Sequence, residues 1–200
     1  AKRMLLLKKG VMMTERDINL LVHHEIGVHM VTTINATLQP LKIWRLGMPA
    51  NTKTQEGLAV YGEFLSATMD SWRTKELGLR VICIDKMVKG YDFRETFEYI
   101  TDHLGVDPDK AFYVVARCYR GGGFTKDQLY LKGFKEVLSH KQNGGSIQNL
   151  LIGKTSLQYL PIIDELVSRR LALPPKYKTK IFLEPAEERN PILDYLVKVF

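Results

Sequence analysis

The sequence has 200 residues, of which 45 % are hydrophobic and 26 % are charged, so it can build a sizeable folded core. It contains no apolar run of the roughly 18 residues that a membrane-spanning helix needs, which argues against a membrane protein. The net charge of +7 favours an acidic partner such as an acidic peptide tail, but the basic residues are scattered and no RNA-binding signature is present, so we do not expect nucleic acid as a partner.

The N-terminal stretch RMLLLKKGVMM predicts one or two short strands that lead into the first helix. Its apolar run is too short for a signal peptide. The chain starts at Ala1 without a methionine and reaches its most distinctive motif by Glu25. We therefore expect a fragment that lacks an N-terminal portion of a longer protein.

The stretch TERDINLLVHHEIGVHMVTTINA, residues 14–36, predicts the first helix. Thr14 suits the N-cap, and acidic Glu15 and Asp17 suit the first turn, where they interact well with the helix dipole. Apolar residues then recur at helical spacing. A loop with prolines and a glycine follows at residues 38–53.

A second helix is predicted at residues 52–72, with Thr52 and Gln55 as a capping box. The segment SIQNLLIGK is consistent with a short strand, and residues 171–191 are mostly irregular. The overall prediction is a mainly α fold with a few short strands, in a single domain over residues 1–200. Further helices are predicted at about 74–89, 93–104, 108–120, 125–140, 155–171 and 191–199.

The first helix contains His24-Glu25 followed by His29, so its histidines are five positions apart, whereas the zinc-protease motif H-E-x-x-H places them four apart. On a regular α-helix, residues five apart point roughly 140° away from each other. A π-type turn would bring them together, and Gly27 makes such a distortion less costly. The motif is therefore either a zinc site on a widened helix or a polar helix with solvated histidines.

A catalytic zinc ion takes three protein ligands, so a third ligand is needed. Glu56 and Glu63 lie seven positions apart on one face of the second helix, and Gly57 and Ala59 would let this helix approach the first closely. We expect Glu56 as the ligand and Glu63 as the residue that orients a histidine through its other ring nitrogen. Glu25 would polarise the attacking water and then carry its proton to the leaving amine.

The segment VVARCYRGGGFTKDQLYLKG carries candidate substrate-binding residues. Arg117 and Arg120 are three apart at a predicted helix end, and a guanidinium can bind a terminal carboxylate through two parallel hydrogen bonds. Thr125 would cap the next helix, whose first amides favour an anion. A glycine C-cap with solvated arginines explains the same pattern. Further candidates for the substrate pocket are Lys126, Tyr130 and Lys53.

The words HEIGVH and TQEGLAVYGEFL together resemble a family of zinc metallopeptidases marked by H-E-x-x-x-H and Q-E-G-L-A. Its bacterial members are labelled flavohaemoglobin expression-modulating QEGLA-motif proteins. Its animal members include the microtubule-associated tyrosine carboxypeptidases, which remove the C-terminal tyrosine of α-tubulin. NATLQPL, FYVVARCYRGGGFTKDQLYLKGF and LIGK extend the resemblance over most of residues 15–170.

The resemblance implies a zincin-like helical domain with Zn²⁺ on His24, His29 and Glu56, and with Glu25 as the catalytic base. It predicts a zinc-dependent carboxypeptidase that releases the last residue of a peptide or protein. The positive net charge of the chain favours an acidic substrate. Two other functions stay open: a catalytically silent regulatory or binding protein, and a zinc hydrolase of non-peptide amides. Cys83 and Cys118 are expected as buried free thiols in a reducing compartment, which favours the cytoplasm.

Overall fold

The computed structural model describes residues 4–7, 9–121, 126–186, 191, 193 and 195. Within these residues the regular structure is entirely helical, which confirms the mainly α prediction. No helix in the same part of the chain combines the length and the apolar character that a membrane span requires.

The helices follow one another with short connections, and two segments have π-helical geometry. In chain order the elements are α1 (Glu15–Leu21), π1 (Val22–Met30), α2 (Val31–Leu38), α3 (Ile43–Leu46), α4 (Asn51–Leu65), α5 (Ser71–Val88), α6 (Phe93–Glu98), π2 (Tyr99–His103), α7 (Pro108–Tyr119), a 3-10 turn (Lys126–Gln128), α8 (Leu129–Gln142), two further 3-10 turns (Gln148–Ile152 and Leu157–Tyr159), α9 (Leu160–Ser168) and α10 (Lys180–Leu183).

The short strands that the sequence suggested are absent from the described residues. Residues 4–7 and 11–14 have no regular structure, and the segment around LIGK forms the 3-10 turn Gln148–Ile152. A strand needs a neighbour for its backbone hydrogen bonds, and no second strand is present among the described residues to supply one. The helix expected at 191–199 lies mostly outside the described residues.

The chain divides into two compact units, Ala1–Met69 with Lys132–Phe200 and Asp70–Leu131. The first unit contains the long helix formed by α1, π1 and α2. This helix begins as expected: the Thr14 hydroxyl accepts a hydrogen bond from the Asp17 backbone amide, and the Asp17 side chain accepts one from the Thr14 amide. The expectation of a single domain over residues 1–200 stays a prediction.

Helix α4 does not begin in the way the sequence suggested. It starts at Asn51 after Ala50, which has a left-handed backbone (φ 57°), and it has no side-chain cap. The expected capping box is therefore wrong, because the Gln55 side chain turns instead toward α2, where its oxygen accepts a 2.8 Å hydrogen bond from the Thr32 hydroxyl. The helix also ends earlier than expected, at Leu65. The expected loop at residues 38–53 contains the short α3.

Helix α4 is the central helix of the first unit, since every residue from Thr54 to Leu65 is buried. Its Gly57 lies against Gly133 of α8, where an added Cβ would be 2.3 Å from the Gly133 carbonyl carbon. The sequence predicts that Gly57 permits the approach of the histidine helix, whereas in the structure Gly57 permits the approach of α8. Gly62 faces the histidine helix, with an added Cβ 3.5 Å from the His23 carbonyl oxygen.

The second unit packs α5, α6, π2 and α7 around its own apolar core. Cys83 and Cys118 are buried in this core as free thiols, as the sequence predicted. The hydrogen bond between the two thiols, together with burial, raises the pKa of the Cys83 thiol, and the same hydrogen bond lowers the pKa of the Cys118 thiol. Both thiols are buried, so neither is an exposed cysteine of the reactive kind.

Candidate metal centre

The side chains of His24, His29 and Glu56 converge inside the first unit. Nε2 of His24 is 3.4 Å from Oε2 of Glu56, and Nε2 of His29 is 3.6 Å from the same oxygen. The ligand-type atoms of all three lie within 4.8 Å of one another. Two imidazole nitrogens and one carboxylate oxygen therefore surround one point.

The π-helix is what brings the two histidines together. The segment Val22–Met30 has π geometry, which is the widened turn that a shared metal site at five-residue spacing requires. A π turn closes its backbone hydrogen bond over five residues instead of four, which brings residues five apart closer together on the helix surface. The rings of His24 and His29 accordingly have their centroids 5.1 Å apart and meet edge to face.

Two hydroxyl groups support the widened helix. The Thr179 hydroxyl donates to the backbone carbonyl of Gly27, in the middle of the π segment. An added Cβ on Gly27 would come within 3.3 Å of Cγ2 of Thr179, so the absence of a side chain there allows this close contact. The Thr33 hydroxyl donates a 2.7 Å hydrogen bond to the His29 carbonyl. The backbone of the motif is thus held by side chains from outside the π turn.

Glu63 fixes the orientation of His24. Its Oε1 lies 2.7 Å from Nδ1 of His24, and the carboxylate is fully buried. Because a carboxylate accepts hydrogen bonds, Nδ1 carries the proton, and Nε2 is the nitrogen that faces Glu56. Glu56 and Glu63 reach the same region because residues seven apart lie on one face of α4.

The electrostatics of the cluster suit a cation. Burial alone would lower the pKa of His24, but Glu56 and Glu63 outweigh this effect and raise it to about 9. Burial likewise acts to raise the pKa of Glu56, but His24 and His29 bring it well below its usual range. The buried carboxylates of Glu56 and Glu63 thus lie close to the strongly basic imidazole of His24. The second imidazole, that of His29, is more accessible to solvent. Oε2 of Glu56 is buried and has no hydrogen-bond partner among the described residues, so the donor set fits a metal ion.

A cavity of about 330 Å³ opens beside the cluster. Glu25 lines it together with His29 and Glu56, so a third carboxylate lies next to the proposed ligands. Glu25 follows His24 directly in the chain, and its side chain is half-buried. This position suits a base that acts on a molecule inside the cavity.

Several residues that line this cavity are not among the functional residues predicted from the sequence. Gln55 and Lys154 occur in the words QEGLA and LIGK, and Asn51 and Thr52 lie at the start of α4. Lys154 is about a hundred positions from the ligands in sequence, so spacing alone carried no signal for it. The spacing of Thr52 and Gln55 is also typical of a helix cap, which gave no indication that they line a cavity.

The candidate substrate-binding residues are distributed over both units. In the first unit, Lys53 forms an ion pair with Glu136, with 2.6 Å between Nζ and Oε1. In the second unit, Nε of Arg117 donates a 2.7 Å hydrogen bond to Asp127, and its Nη2 lies 3.5 Å from the Tyr130 hydroxyl. Arg120 and Lys126 are exposed, and Thr125 lies outside the described residues. Substrate binding by these residues stays a prediction.

A family model described as microtubule-associated tyrosine carboxypeptidase matches residues 1–199. The chain belongs to this family. The resemblance drawn from the motifs is therefore confirmed. The region that matches the microtubule-associated tyrosine carboxypeptidase family contains the π-helix, Glu56 and the residues that line the cavity.

Individual members of the family are similar over most of this chain. Microtubule-associated tyrosine carboxypeptidase 1 of Homo sapiens is 29 % identical over 167 residues, which cover 68 % of this chain and 34 % of the human protein. The Rattus norvegicus protein of the same name is also 29 % identical over 167 residues, with the same coverage of 68 % and 34 %. The chain spans about a third of the length of these curated relatives.

Proposed function

We propose that this protein is a zinc-dependent metallopeptidase of the carboxypeptidase type. His24, His29 and Glu56 would hold Zn²⁺, and Glu25 would be the catalytic base. The observation that carries the proposal is the convergence of these three ligand-type side chains on a π-helix and its neighbour, beside a cavity that Glu25 also lines.

The ligand set follows from ordinary zinc chemistry. Two histidine nitrogens and one carboxylate are a common catalytic set that leaves a position open for water or substrate. When bound here, zinc would supply a Lewis acid beside the scissile carbonyl. Glu63 would keep Nε2 of His24 aimed at the metal position through its 2.7 Å contact with Nδ1.

The protein residues would carry the proton transfers. Glu25 would accept a proton from the water that attacks the carbonyl carbon and would later give it to the departing amine nitrogen. Glu25 lines the cavity and is only half-buried, so its carboxylate would be accessible to a substrate bound there. Glu25 lies next to a ligand without being one, so the roles of ligand and base stay separate.

The carboxypeptidase type rests on the relatives, which are named as tyrosine carboxypeptidases. The substrate of this chain would be the C-terminus of a peptide or protein. A net charge of +7 favours an acidic segment before the released residue. Reducing conditions in the cytoplasm would match the two buried free thiols.

The test combines metal analysis with release of amino acids. Zinc content is measured by mass spectrometry on the purified protein, and a peptide mixture is then followed for released C-terminal residues. The native protein should carry about one zinc ion and release terminal residues, whereas Glu25→Gln should keep the zinc and lose release. Bound zinc with no release from any peptide would instead favour a regulatory protein or a hydrolase of non-peptide amides.

A further inference from the structure

Lys154 occupies a place shared by two neighbouring cavities of the first unit. It lines the cavity of about 330 Å³ that contains Glu25, His29 and Glu56. It also lines an adjoining cavity of about 310 Å³, and Thr33 is common to both as well. The positively charged side chain of Lys154 thus lies between the candidate metal centre and the adjoining cavity.

This lysine has no anionic partner among the described residues. The same is true of Lys42 and Arg45, which line the adjoining cavity. By contrast, Lys53 is already paired with Glu136 at 2.6 Å. The half-buried Lys154 ammonium is therefore available to an anion from outside, and partial exclusion of water would strengthen that interaction.

The backbone fixes Lys154 relative to the candidate metal centre. Its amide donates a 3.0 Å hydrogen bond to the Trp44 carbonyl, and its own carbonyl accepts one of 3.0 Å from Met48. The preceding Gly153 permits this contact, because an added Cβ would lie 2.7 Å from Cβ of Trp44. The Gly153 carbonyl also lies 3.4 Å from Nε2 of Gln55, the neighbour of Glu56 in α4.

We propose that Lys154 binds the free α-carboxylate of the residue that is released. The inference rests on the proposed carboxypeptidase function, which requires a cation near the metal to recognise a chain end. The side chain of the released residue would then enter the adjoining cavity. Lys154 is a more suitable anchor than Lys53, because its charge is not neutralised within the described chain.

The lining of the adjoining cavity sets which terminal residues fit. Ala36 and Leu46 offer aliphatic contact, and Thr37 offers a hydroxyl group. Lys42 and Arg45 would repel a terminal lysine or arginine, while a neutral or acidic side chain meets no such repulsion. The geometry therefore points to a preference for substrates whose C-terminal residue carries no positive charge.

The first experiment measures binding and does not depend on turnover. Zinc-loaded Glu25→Gln protein is titrated by NMR with an acetylated tetrapeptide that ends in tyrosine, either as the free acid or as the amide. The free acid should bind about 10- to 100-fold more tightly, the range typical of a hydrogen bond to a charged group. Lys154→Met should reduce this ratio to near one, and Lys154→Arg should keep most of it.

Lys141→Met is the matched control, because Lys141 is an exposed lysine at the end of α8 that lines neither cavity. It should leave the preference for the free acid unchanged. If Lys154→Met keeps the full preference, or if the parent protein binds both peptides equally or neither of them, the assignment of Lys154 is overturned. If the free-acid preference depends on Lys154 while the native protein releases no residue from any peptide, the proposed enzyme function fails and the carboxylate site stands.

A second titration tests the adjoining cavity. The free-acid tetrapeptide ending in lysine should bind the parent more weakly than the one ending in tyrosine. Lys42→Gln with Arg45→Gln should strengthen binding of the lysine-ended peptide by roughly two- to five-fold, as expected for partly exposed charges. No change for that peptide would show that its terminal side chain does not enter this cavity.

Discussion

Glu63 and His24 form a buried hydrogen bond of 2.7 Å between Oε1 and Nδ1, behind the point where the candidate metal ligands meet. The contact uses the ring nitrogen that faces away from Glu56. It therefore determines which nitrogen of His24 is left for a metal.

Glu63→Gln should weaken zinc binding by about 10- to 100-fold, the usual effect of losing a partner that orients a histidine ligand. The amide keeps the shape of the side chain but can present its NH₂ group to Nδ1, which favours the wrong tautomer. Competition with a chromogenic zinc chelator measures the affinity. Glu136→Gln is the control, since Glu136 lies on α8 and pairs with Lys53. Equal zinc affinity in both variants would contradict the orienting role.

The metal-free protein should lose stability as the pH rises above neutral. The pKa of His24 is raised from 6.5 to about 9 in the folded chain, so between these values the folded state binds more protons than the unfolded state. The stabilisation is complete below pH 6.5 and is lost as the pH rises through about 9. Thermal unfolding in the presence of a chelator measures this decline. His24→Gln should show a flatter profile over the same range, and an identical slope would show that other groups cause it.

Thr179→Val should destabilise the π-helix at Gly27. Valine keeps the shape of the side chain but cannot donate to the Gly27 carbonyl, so the free energy of unfolding should fall by about 1 kcal/mol. Urea unfolding measures the change. Thr179→Ser keeps the hydroxyl and should retain most of the stability. A valine variant as stable as the parent would mean that the π geometry does not need this hydrogen bond.

Gly57→Ala should destabilise the first unit strongly. The added Cβ would lie 2.3 Å from backbone of Gly133, which cannot move aside as a flexible side chain can. We expect a loss of about 3 kcal/mol, at the upper end of the usual cost of overpacking. Gly78→Ala is the control, because its Cβ would meet nothing within 4 Å in the middle of α5. That variant should gain roughly 0.5–1 kcal/mol from its better helix propensity. Similar effects of the two substitutions in urea unfolding would contradict the close packing of α4 on α8.

The local features of the site could be predicted from the sequence. A separation of five positions between His24 and His29, with Gly27 between them, indicated that a shared metal site would require a π turn, and the structure has one. The seven-residue spacing of Glu56 and Glu63 put both carboxylates on one face of α4, which is where they lie. Spacing within a helix determines direction, so such inferences need no knowledge of the rest of the fold.

Features that depend on distant segments could not be predicted in this way. The sequence pattern relates Gly57 only to the helix nearest to it in the chain, whereas its contact in the structure, Gly133, lies far along the chain. Lys154 and Thr179 lie near the candidate metal centre because of the path of distant turns, and no local sequence pattern reveals that path. The expected strands failed for a similar reason, because apolar residues alone do not reveal whether a pairing partner exists.

The most direct test of the account is a crystal structure of the zinc-loaded protein with anomalous data collected at the zinc edge. We predict one strong peak at about 2.0–2.2 Å from Nε2 of His24, Nε2 of His29 and a carboxylate oxygen of Glu56. A zinc peak at other residues, or none near this cluster in a protein shown to contain zinc, would contradict the proposed metal centre.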